Sequence, residues 1–274
     1  MTYAALEAEY NIRARHPEHE SVRAGWAEGS ARAKSKFDWQ ENVRYGPAAR
    51  QVLDYFPARP ASAPLLVFIH GGYWRSNDKT NYGFIAEPVI EAGGALANIN
   101  YGLAPDTSMG EIIEQVRASI LWLYGNIVNE RIHVAGHSAG GHLAAELLAT
   151  DWPAYGAPMD IVRTITAISG VFDLAPLIGT SINVELGLDQ AAARKFSPLF
   201  DLPPAGATLT VAVGDGETEE FLRRSRSYAA ACRAAGCACE PEIVADANHY
   251  TILNQLGDAD APLTRDILRQ MGLR

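Results

Sequence analysis

Ser138 lies at the centre of a Gly-x-Ser-x-Gly motif, in which Gly136 and Gly140 each stand two residues away from it. The motif connects an apolar segment that predicts a strand, Arg131 to Ala135, with a segment that predicts a helix. At such a junction the chain reverses so sharply that side chains at the two glycine positions would collide. The turn holds the serine hydroxyl at the N-terminus of the helix, where backbone N–H groups favour an oxyanion. The pattern therefore predicts a serine nucleophile for acyl transfer.

A pair of adjacent glycines, Gly71 and Gly72, follows the apolar run from Leu65 to Ile69 after a single histidine, His70. Adjacent glycines allow the backbone to turn its N–H groups outward, because no Cβ is in the way. We expect the N–H groups of Gly71 or Gly72, together with that of Ala139, to form an oxyanion hole. His70 is expected to shape this loop through hydrogen bonds and not to act as a base.

Chain order selects the general base among seven histidines. In hydrolases with this serine turn the order is nucleophile, acid, histidine, so the base must follow Ser138 with room for an acid between them. His142 follows too closely, and we expect it to pack one helical turn beyond the serine. His249, after the predicted strand Glu242 to Val244, meets the condition. The other histidines precede the nucleophile: His16, His19, His70, His133 and His137.

The acid that orients His249 is expected after the predicted strand Leu209 to Val213. Asp215 lies closest to the end of that strand, and Glu217 stands two residues further on, just before a helix. Either carboxylate can hold the imidazole and stabilise its charged form, and position alone does not separate them. Asp173, which follows an earlier strand, is a more distant alternative.

These residues require a framework that brings the ends of several strands together. Short apolar runs predict strands buried on both faces, and they alternate with helical windows such as Glu111 to Tyr124. The alternation predicts an α/β fold of the α/β-hydrolase type, with a doubly wound, mostly parallel sheet of about eight strands and helices on both faces. Ligands of such sheets bind beyond the carboxyl ends of the strands, where the candidate residues lie. The remaining predicted strands are Val43 to Tyr45, Gln51 to Phe56, Ala95 to Tyr101 and Thr164 to Ser169, and further helices are predicted at Phe221 to Ala235 and Pro262 to Met271.

The length of 274 residues suits a single domain, residues 1–274. Residues 1–40 precede the first strands and contain two helical windows, Tyr3 to Arg15 and Glu20 to Ser35, the second of which is weakened by glycines. Lids are usually appended to the sheet and not inserted within it. We therefore expect this N-terminal helical segment to cover part of the site as a partial lid, or else to form an outer layer.

Composition excludes several classes of function. The formal net charge of −9 argues against nucleic acid as a partner and gives no attraction to an anionic membrane. The longest apolar runs are too short to span a bilayer, and the N-terminus lacks the pattern of a signal peptide. We therefore expect a cytoplasmic protein that acts on a small-molecule acyl amide or ester. Exposed strand edges and a C-terminal helix make a homodimer an open expectation.

Three cysteines, Cys232, Cys237 and Cys239, are close together near the C-terminus. Their odd number and the absence of a Cys-x-x-Cys pair or a histidine-rich partner segment favour reduced, structural thiols over a metal site. Acyl transfer through a serine requires neither a metal nor an organic cofactor, so we expect none.

The two glycine motifs together resemble the kynurenine formamidase (arylformamidase) branch of the esterase/lipase α/β-hydrolases. Esterases similar to hormone-sensitive lipase usually carry His-Gly-Gly-Gly, whereas here Tyr73 replaces the third glycine and Trp74 follows it, which is the formamidase-like form. The likeness covers most of the chain, because the segments Tyr45-Gly46, Leu53 to Pro57 and Asn100 to Pro105 also resemble the family.

The resemblance bears on the choice of acid. In the relatives, the catalytic acid lies four residues before a phenylalanine that opens the following helix. Phe221 matches that phenylalanine, so the resemblance favours Glu217 over Asp215. Eukaryotic members have aspartate at this position, and the glutamate here is a departure that places the same carboxylate one methylene further out.

The resemblance implies a serine hydrolase acting on small acyl amides or esters. Foremost is an arylformamidase-like amidase that releases formate from an N-formyl aromatic amine such as N-formylkynurenine. A carboxylesterase of short-chain or aryl esters is the alternative, since specificity depends on the pocket, and a non-catalytic binding module is a more remote one. Tyr73 and Trp74 are expected either to bind an aryl group as an aromatic wall or to pack against the N-terminal segment. Arg75 is the nearest candidate for binding a substrate carboxylate.

Overall fold

The computed structural model describes residues 2–59, 62–127 and 132–273, and these form an eight-stranded sheet. Its spatial order is β1-β2-β4-β3-β5-β6-β7-β8 for the strands β1 Gln40–Arg44, β2 Val52–Phe56, β3 Leu65–Ile69, β4 Ala95–Ile99, β5 Ile132–His137, β6 Val162–Ile168, β7 Thr208–Gly214 and β8 Ala238–Val244. Strand β2 is antiparallel to both of its neighbours, and all other adjacent pairs are parallel. The predicted α/β-hydrolase fold, with its mostly parallel sheet, is confirmed.

Helices cover both faces of the sheet and enclose an apolar core on each. The α-helices of the described residues are α1 Tyr3–Tyr10, α2 Ile12–Arg15, α3 His19–Lys36, α4 Ala86–Glu91, α5 Met109–Asn126, α6 Ala139–Ala149, α7 Asn183–Leu186, α8 Gln190–Lys195, α9 Glu219–Ala234 and α10 Pro262–Met271. Short 3₁₀ helices cover Lys79–Ile85, Trp152–Tyr155, Ala175–Gly179, Pro198–Phe200 and Thr251–Gly257. One core contains side chains of α5, α6 and α9, and the other contains side chains of α3, α4 and α10.

The ends of several strands differ from their predictions. Strand β1 covers Gln40–Arg44 and not Val43 to Tyr45, and strand β4 ends at Ile99 and not at Tyr101. Strand β5 continues to His137, and Arg131, the predicted first residue of this strand, lies outside the described residues. Strand β8 begins at Ala238, well before the predicted start at Glu242. It can include Pro241 because it lies at the edge of the sheet, where a missing N–H leaves no ladder bond unmade.

The helices of the N-terminal segment are interrupted at a different residue than predicted. The window Tyr3 to Arg15 is interrupted at Asn11, whose side chain accepts a backbone N–H at 3.3 Å and so caps the start of α2. Helix α3, in contrast, continues through its glycines. Gly29 permits close packing against the 3₁₀ helix Lys79–Ile85, because a Cβ at this position would lie 2.9 Å from the Cβ of Phe84.

A buried ion pair fastens these outer elements to the sheet. The ammonium of Lys79 lies 2.6 Å from Oδ1 of Asp54 in β2, and the two side chains are only 2% and 1% exposed. The ammonium of Lys34 in α3 lies 3.4 Å from the other carboxylate oxygen. Asp54 therefore links the sheet both to the N-terminal segment and to the 3₁₀ helix.

We expect Asp54→Asn to lower the free energy of unfolding by about 3–5 kcal/mol, because the buried Lys79 ammonium loses its anion. Urea unfolding followed by circular dichroism measures the change. Lys36→Ala is the matched control, since it removes an exposed pair with Glu87 and Glu91 and should leave the midpoint nearly unchanged. If Asp54→Asn unfolds at the same urea concentration as the parent, the ion pair between Asp54 and Lys79 does not hold these elements together.

Candidate active site

The candidate residues meet at the carboxyl edge of the sheet. Ser138 follows β5, the loop that contains Gly72 follows β3, and His249 follows β8. All three line one cavity. The structure thus brings the predicted nucleophile, oxyanion loop and base into a single cavity.

Ser138 occupies a strained turn between β5 and α6. Its backbone has φ 56° and ψ −116°, a conformation that residues with side chains rarely adopt. The chain passes so close to itself here that a Cβ on Gly136 would lie 2.0 Å from the carbonyl oxygen of Gly140. A Cβ on Gly140 would lie 1.9 Å from the carbonyl oxygen of Ile69. Both glycines are therefore required by close approach, as the motif predicts.

His249 is held by a buried carboxylate. Its Nδ1 lies 2.7 Å from Oε2 of Glu217, whose side chain is fully buried. The other oxygen, Oε1, accepts hydrogen bonds from the hydroxyl of Ser169 at 2.5 Å and from the N–H of Gly214 at 3.0 Å. Because a carboxylate only accepts, Nδ1 of His249 carries the proton and Nε2 remains available as a base.

The other two acid candidates make different contacts. Asp215 is exposed, and its Oδ1 accepts the N–H of Ala247 at 3.3 Å. Asp173 is paired with Arg224. Of the three carboxylates considered, the structure brings only Glu217, the one favoured by the resemblance, into hydrogen-bonding contact with His249.

Two neighbouring rings fix the position of His249 beside Ser138. The Nε2–H of His137 donates to the backbone carbonyl of His249 at 2.8 Å, and the ring of Phe221 packs edge-on at 4.7 Å. Burial holds the pKa of His137 well below its usual value, so this ring stays neutral and keeps its donor role. No hydrogen bond joins the Ser138 hydroxyl to the His249 ring in this structure, although both line the cavity.

Ser169 is a residue that the sequence reasoning did not single out. It lies directly after β6, fully buried, and its hydroxyl fixes the orientation of the Glu217 carboxylate. A signal was present, because a polar residue at the end of an apolar strand meets the same positional rule that selected the other candidates.

We expect Ser169→Ala to lower kcat/KM by about 10-fold, the loss of one hydrogen bond of about 1.5 kcal/mol to a charged group. Steady-state hydrolysis of p-nitrophenyl acetate measures the effect. Ser225→Ala is the matched control, because this buried serine has no hydrogen-bond partner for its hydroxyl among the described residues. Equal activities of the two variants would contradict a role for Ser169.

The loop after β3 lies directly against the nucleophile. A Cβ on Gly71 would lie 2.9 Å from the Cβ of Ser138, so only glycine fits there without a shift. Gly72 has φ 117°, which side chains disfavour. His70 donates from Nδ1 to the carbonyl of Gly71 at 2.8 Å, and burial lowers its pKa to about 4. His70 therefore shapes the loop as a neutral ring, as predicted.

Tyr73 and Trp74 point to different surroundings. Tyr73 lines the cavity, and its hydroxyl donates to the backbone carbonyl of Tyr10 at 2.7 Å. The Trp74 side chain is fully buried and packs edge-on against the ring of His142 at 4.9 Å, without lining the cavity. Of the predicted aromatic wall, the structure therefore brings only Tyr73 to the cavity.

The N-terminal segment contributes a wall of the cavity, and the sequence analysis did not single out the residues of this segment that line it. Arg75, the predicted carboxylate contact, is paired with Glu185 at 2.5 Å. Arg13 and Arg23 also line the cavity, and within the described ranges their hydrogen bonds go to neutral side chains. The lining residues from this segment are Tyr10, Asn11, Ile12, Arg13, Arg23 and Trp26.

In the part of the chain that the structure describes, no group of three or more His, Cys, Asp or Glu side chains is arranged to hold a metal ion. The three cysteines are free and buried. No helix in those same ranges has the length and apolar character needed to cross a membrane.

Comparisons with known proteins point to hydrolases. The chain is 32% identical over 256 residues to kynurenine formamidase of Danio rerio, covering 89% of this chain and 86% of the relative. It is 28% identical to the carboxylic ester hydrolase LipN of Mycobacterium tuberculosis, covering 81% and 67%. A solved structure from Silicibacter sp. TM1040, provisionally described as a thioesterase, matches with a TM-score of 0.84 at 29% identity, covering 96% of this chain and 98% of that chain. Residues 53–153 match the BD-FAE family model.

The fold and these relatives define the protein as a hydrolase enzyme of the α/β-hydrolase fold. The identity to the Danio rerio protein extends over most of both chains. The chain therefore belongs to the kynurenine formamidase family.

Proposed function

We propose that this hydrolase is a serine amidase that releases formate from N-formyl aromatic amines, with Ser138 as nucleophile, His249 as base and Glu217 as the acid that orients it. The observation that carries the proposal is the hydrogen bond from His249 to buried Glu217 beside the strained Ser138 turn. Nucleophile, base and orienting carboxylate in this order are the minimum set for acyl transfer through a serine.

The reaction follows from the roles of these groups. Nε2 of His249 takes the proton from the Ser138 hydroxyl as the oxygen attacks the formyl carbon, and Glu217 stabilises the imidazolium that forms. N–H groups of the Gly71-Gly72 loop and of Ala139 hold the oxyanion. The C–N bond then breaks as His249 protonates the leaving amine. Water, activated by the same histidine, hydrolyses the formyl-enzyme to formate.

The walls of the cavity support an aromatic leaving group. Tyr73 and Tyr250 line it with partly buried side chains, and the buried rings of Tyr10, Trp26 and Tyr82 complete an aromatic lining. Such rings stack on an aryl amine with about 0.5–1.5 kcal/mol beyond the area that they bury. The name of the Danio rerio relative points in the same direction, towards N-formylkynurenine.

Two arginines support a substrate that also carries an acidic group. Arg13 and Arg23 line the cavity with neutral partners, Ser76 and Asn77, in a protein whose formal net charge is −9. A guanidinium has five N–H donors, so each retains donors for a carboxylate. Because these arginines belong to residues 1–40, we also propose that this segment acts as a partial lid of a single hydrolase domain.

Ester hydrolysis is the second candidate activity, favoured by the similarity to LipN. The same groups would cleave a short-chain or aryl ester, since attack on the acyl carbon is common to both reactions. The two candidates differ in the leaving group, which His249 must protonate in the case of an amine.

A substrate panel tests the proposal. We expect formanilide derivatives that carry a carboxylate to be hydrolysed with higher kcat/KM than the matching carboxamides, and acetanilides to be slower than formanilides. Release of formate and of free amine is measured in parallel, with p-nitrophenyl acetate as the ester. Turnover of the ester without release of formate from any N-formyl arylamine would establish the carboxylesterase instead.

A further inference from the structure

We propose that Asn77 and Ser76 position the N–H groups of the oxyanion hole, and that Arg23 and Arg13 of the N-terminal segment hold these two side chains in place. The proposal rests on the proposed function only for its acyl-transfer chemistry. It makes the N-terminal segment part of the catalytic apparatus as well as a wall of the cavity.

The first peptide of the loop is fixed through its carbonyl. The carbonyl of Gly71 accepts from Nδ2 of Asn77 at 3.2 Å and from Nδ1 of His70 at 2.8 Å. In a trans peptide the C=O and N–H groups point to opposite sides. The N–H of Gly72 is therefore turned away from these partners, and Gly72 lines the cavity.

The second peptide is fixed in the same way. The carbonyl of Gly72 accepts from the hydroxyl of Ser76 at 3.0 Å and from the N–H of Arg75 at 3.2 Å. This orients the N–H of Tyr73, which also lines the cavity. Within the described ranges neither the Gly72 nor the Tyr73 N–H is donated to another residue, so both are free for an oxyanion. The geometry thus assigns the loop donors to Gly72 and Tyr73.

The arginines determine which way the two positioning side chains face. Nη2 of Arg23 donates to Oδ1 of Asn77 at 2.6 Å, which leaves the NH₂ end of that amide for the loop carbonyl. Nη2 of Arg13 donates to the hydroxyl oxygen of Ser76 at 2.7 Å, which leaves its hydrogen for the other carbonyl. Two parallel hydrogen-bond relays therefore run from the N-terminal segment to the two peptides.

The loop needs such support because its backbone is strained. Tyr73, Trp74 and Asn77 have φ values of 50°, 55° and 86°, in the left-handed region that side chains disfavour. Conformations of this kind persist only where surrounding contacts determine them. Loss of a relay would let the loop relax and turn its N–H groups away from the oxyanion.

The test uses p-nitrophenyl acetate, a neutral ester whose hydrolysis does not depend on the formamidase assignment or on binding of a substrate carboxylate. Asn77→Gly keeps the positive φ and removes the relay. We expect kcat to fall by about 10- to 100-fold with KM changed less than about 2-fold, because oxyanion donors act in the transition state. Affinity for a trifluoromethyl ketone, which forms a tetrahedral adduct, should fall in parallel.

A double-mutant cycle tests the link to the N-terminal segment. Arg23→Ala should lower kcat by about 3- to 10-fold in the parent and have no further effect in Asn77→Gly, because it acts through Asn77. Arg15→Ala is the matched control, since this exposed arginine of α2 does not line the cavity. It should leave both constants unchanged.

Three results would overturn the proposal: a rise in KM alone, an unchanged kcat in folded Asn77→Gly, or additive effects in the cycle. If Asn77→Gly does not fold, Asn77→Asp replaces it. This variant is almost isosteric and still accepts from Arg23, but an ionised carboxylate cannot donate to Gly71. The same fall in kcat is expected, and parental kcat would again overturn the proposal.

Discussion

We expect Ser138→Ala to lower kcat for hydrolysis of a formanilide by about 10⁶-fold, the order of loss that follows removal of the nucleophile from a serine triad. The reason is that no acyl-enzyme can form, so that only the oxyanion hole and binding remain to accelerate attack by water. Ser138 is 3% exposed, and the methyl group of alanine fits where the hydroxymethylene stood. Stability should therefore stay close to that of the parent.

Formate release by parent and variant, at matched concentration and with thermal unfolding recorded, measures this effect. Ser169→Ala is measured alongside for comparison, because it should retain about a tenth of the parental activity. Residual activity of Ser138→Ala above a few per cent would show that another group performs the attack.

The second large effect is expected for Glu217→Gln, which should lower kcat by about 10⁴-fold. The amide retains the shape of the carboxylate but cannot stabilise the imidazolium. Its NH₂ group would also face Nδ1 of His249 or the hydroxyl of Ser169, both of which now donate to the carboxylate. The imidazole would then favour the tautomer that has its proton on Nε2 and cannot act as a base towards Ser138.

Asp215→Asn is the matched control for this substitution, since Asp215 is exposed and accepts only a loop N–H. Its kcat should remain within about 3-fold of the parent, which is small on the scale expected for a triad acid. If Asp215→Asn lowers kcat more than Glu217→Gln does, Asp215 is the acid. A comparable loss in both variants would indicate that the loop after β7 is distorted, which circular dichroism and thermal unfolding would reveal.

The fold and the central residues were predictable because local patterns determine them. Buried strands appear as short apolar runs, and the close approach at Gly136 and Gly140 leaves a signature in the chain itself. The chain order nucleophile, acid, histidine then selected His249 as the candidate base. Position after a strand end could not decide between Asp215 and Glu217, because the two differ in the direction in which the loop turns their side chains, and the resemblance to a family favoured Glu217.

The rest of the site depends on contacts between segments that are distant in the chain. Arg23 meets Asn77 because α3 packs on the 3₁₀ helix Lys79–Ile85, and Arg13 of α2 meets Ser76, which lies 63 residues further along the chain. No periodicity or spacing in the sequence predicts such contacts. Trp74 shows the converse, since it stands beside Tyr73 in the sequence yet is fully buried against the ring of His142 and does not line the cavity.

The central claim is that Ser138 is the nucleophile of this hydrolase, and covalent labelling tests it most directly. The protein is incubated with a fluorophosphonate, and the modified peptide is identified by mass spectrometry. We predict one adduct per chain, on Ser138, absent from Ser138→Ala and formed far more slowly by Glu217→Gln. An intact protein that takes up no label, or takes it up at another residue, would contradict the account.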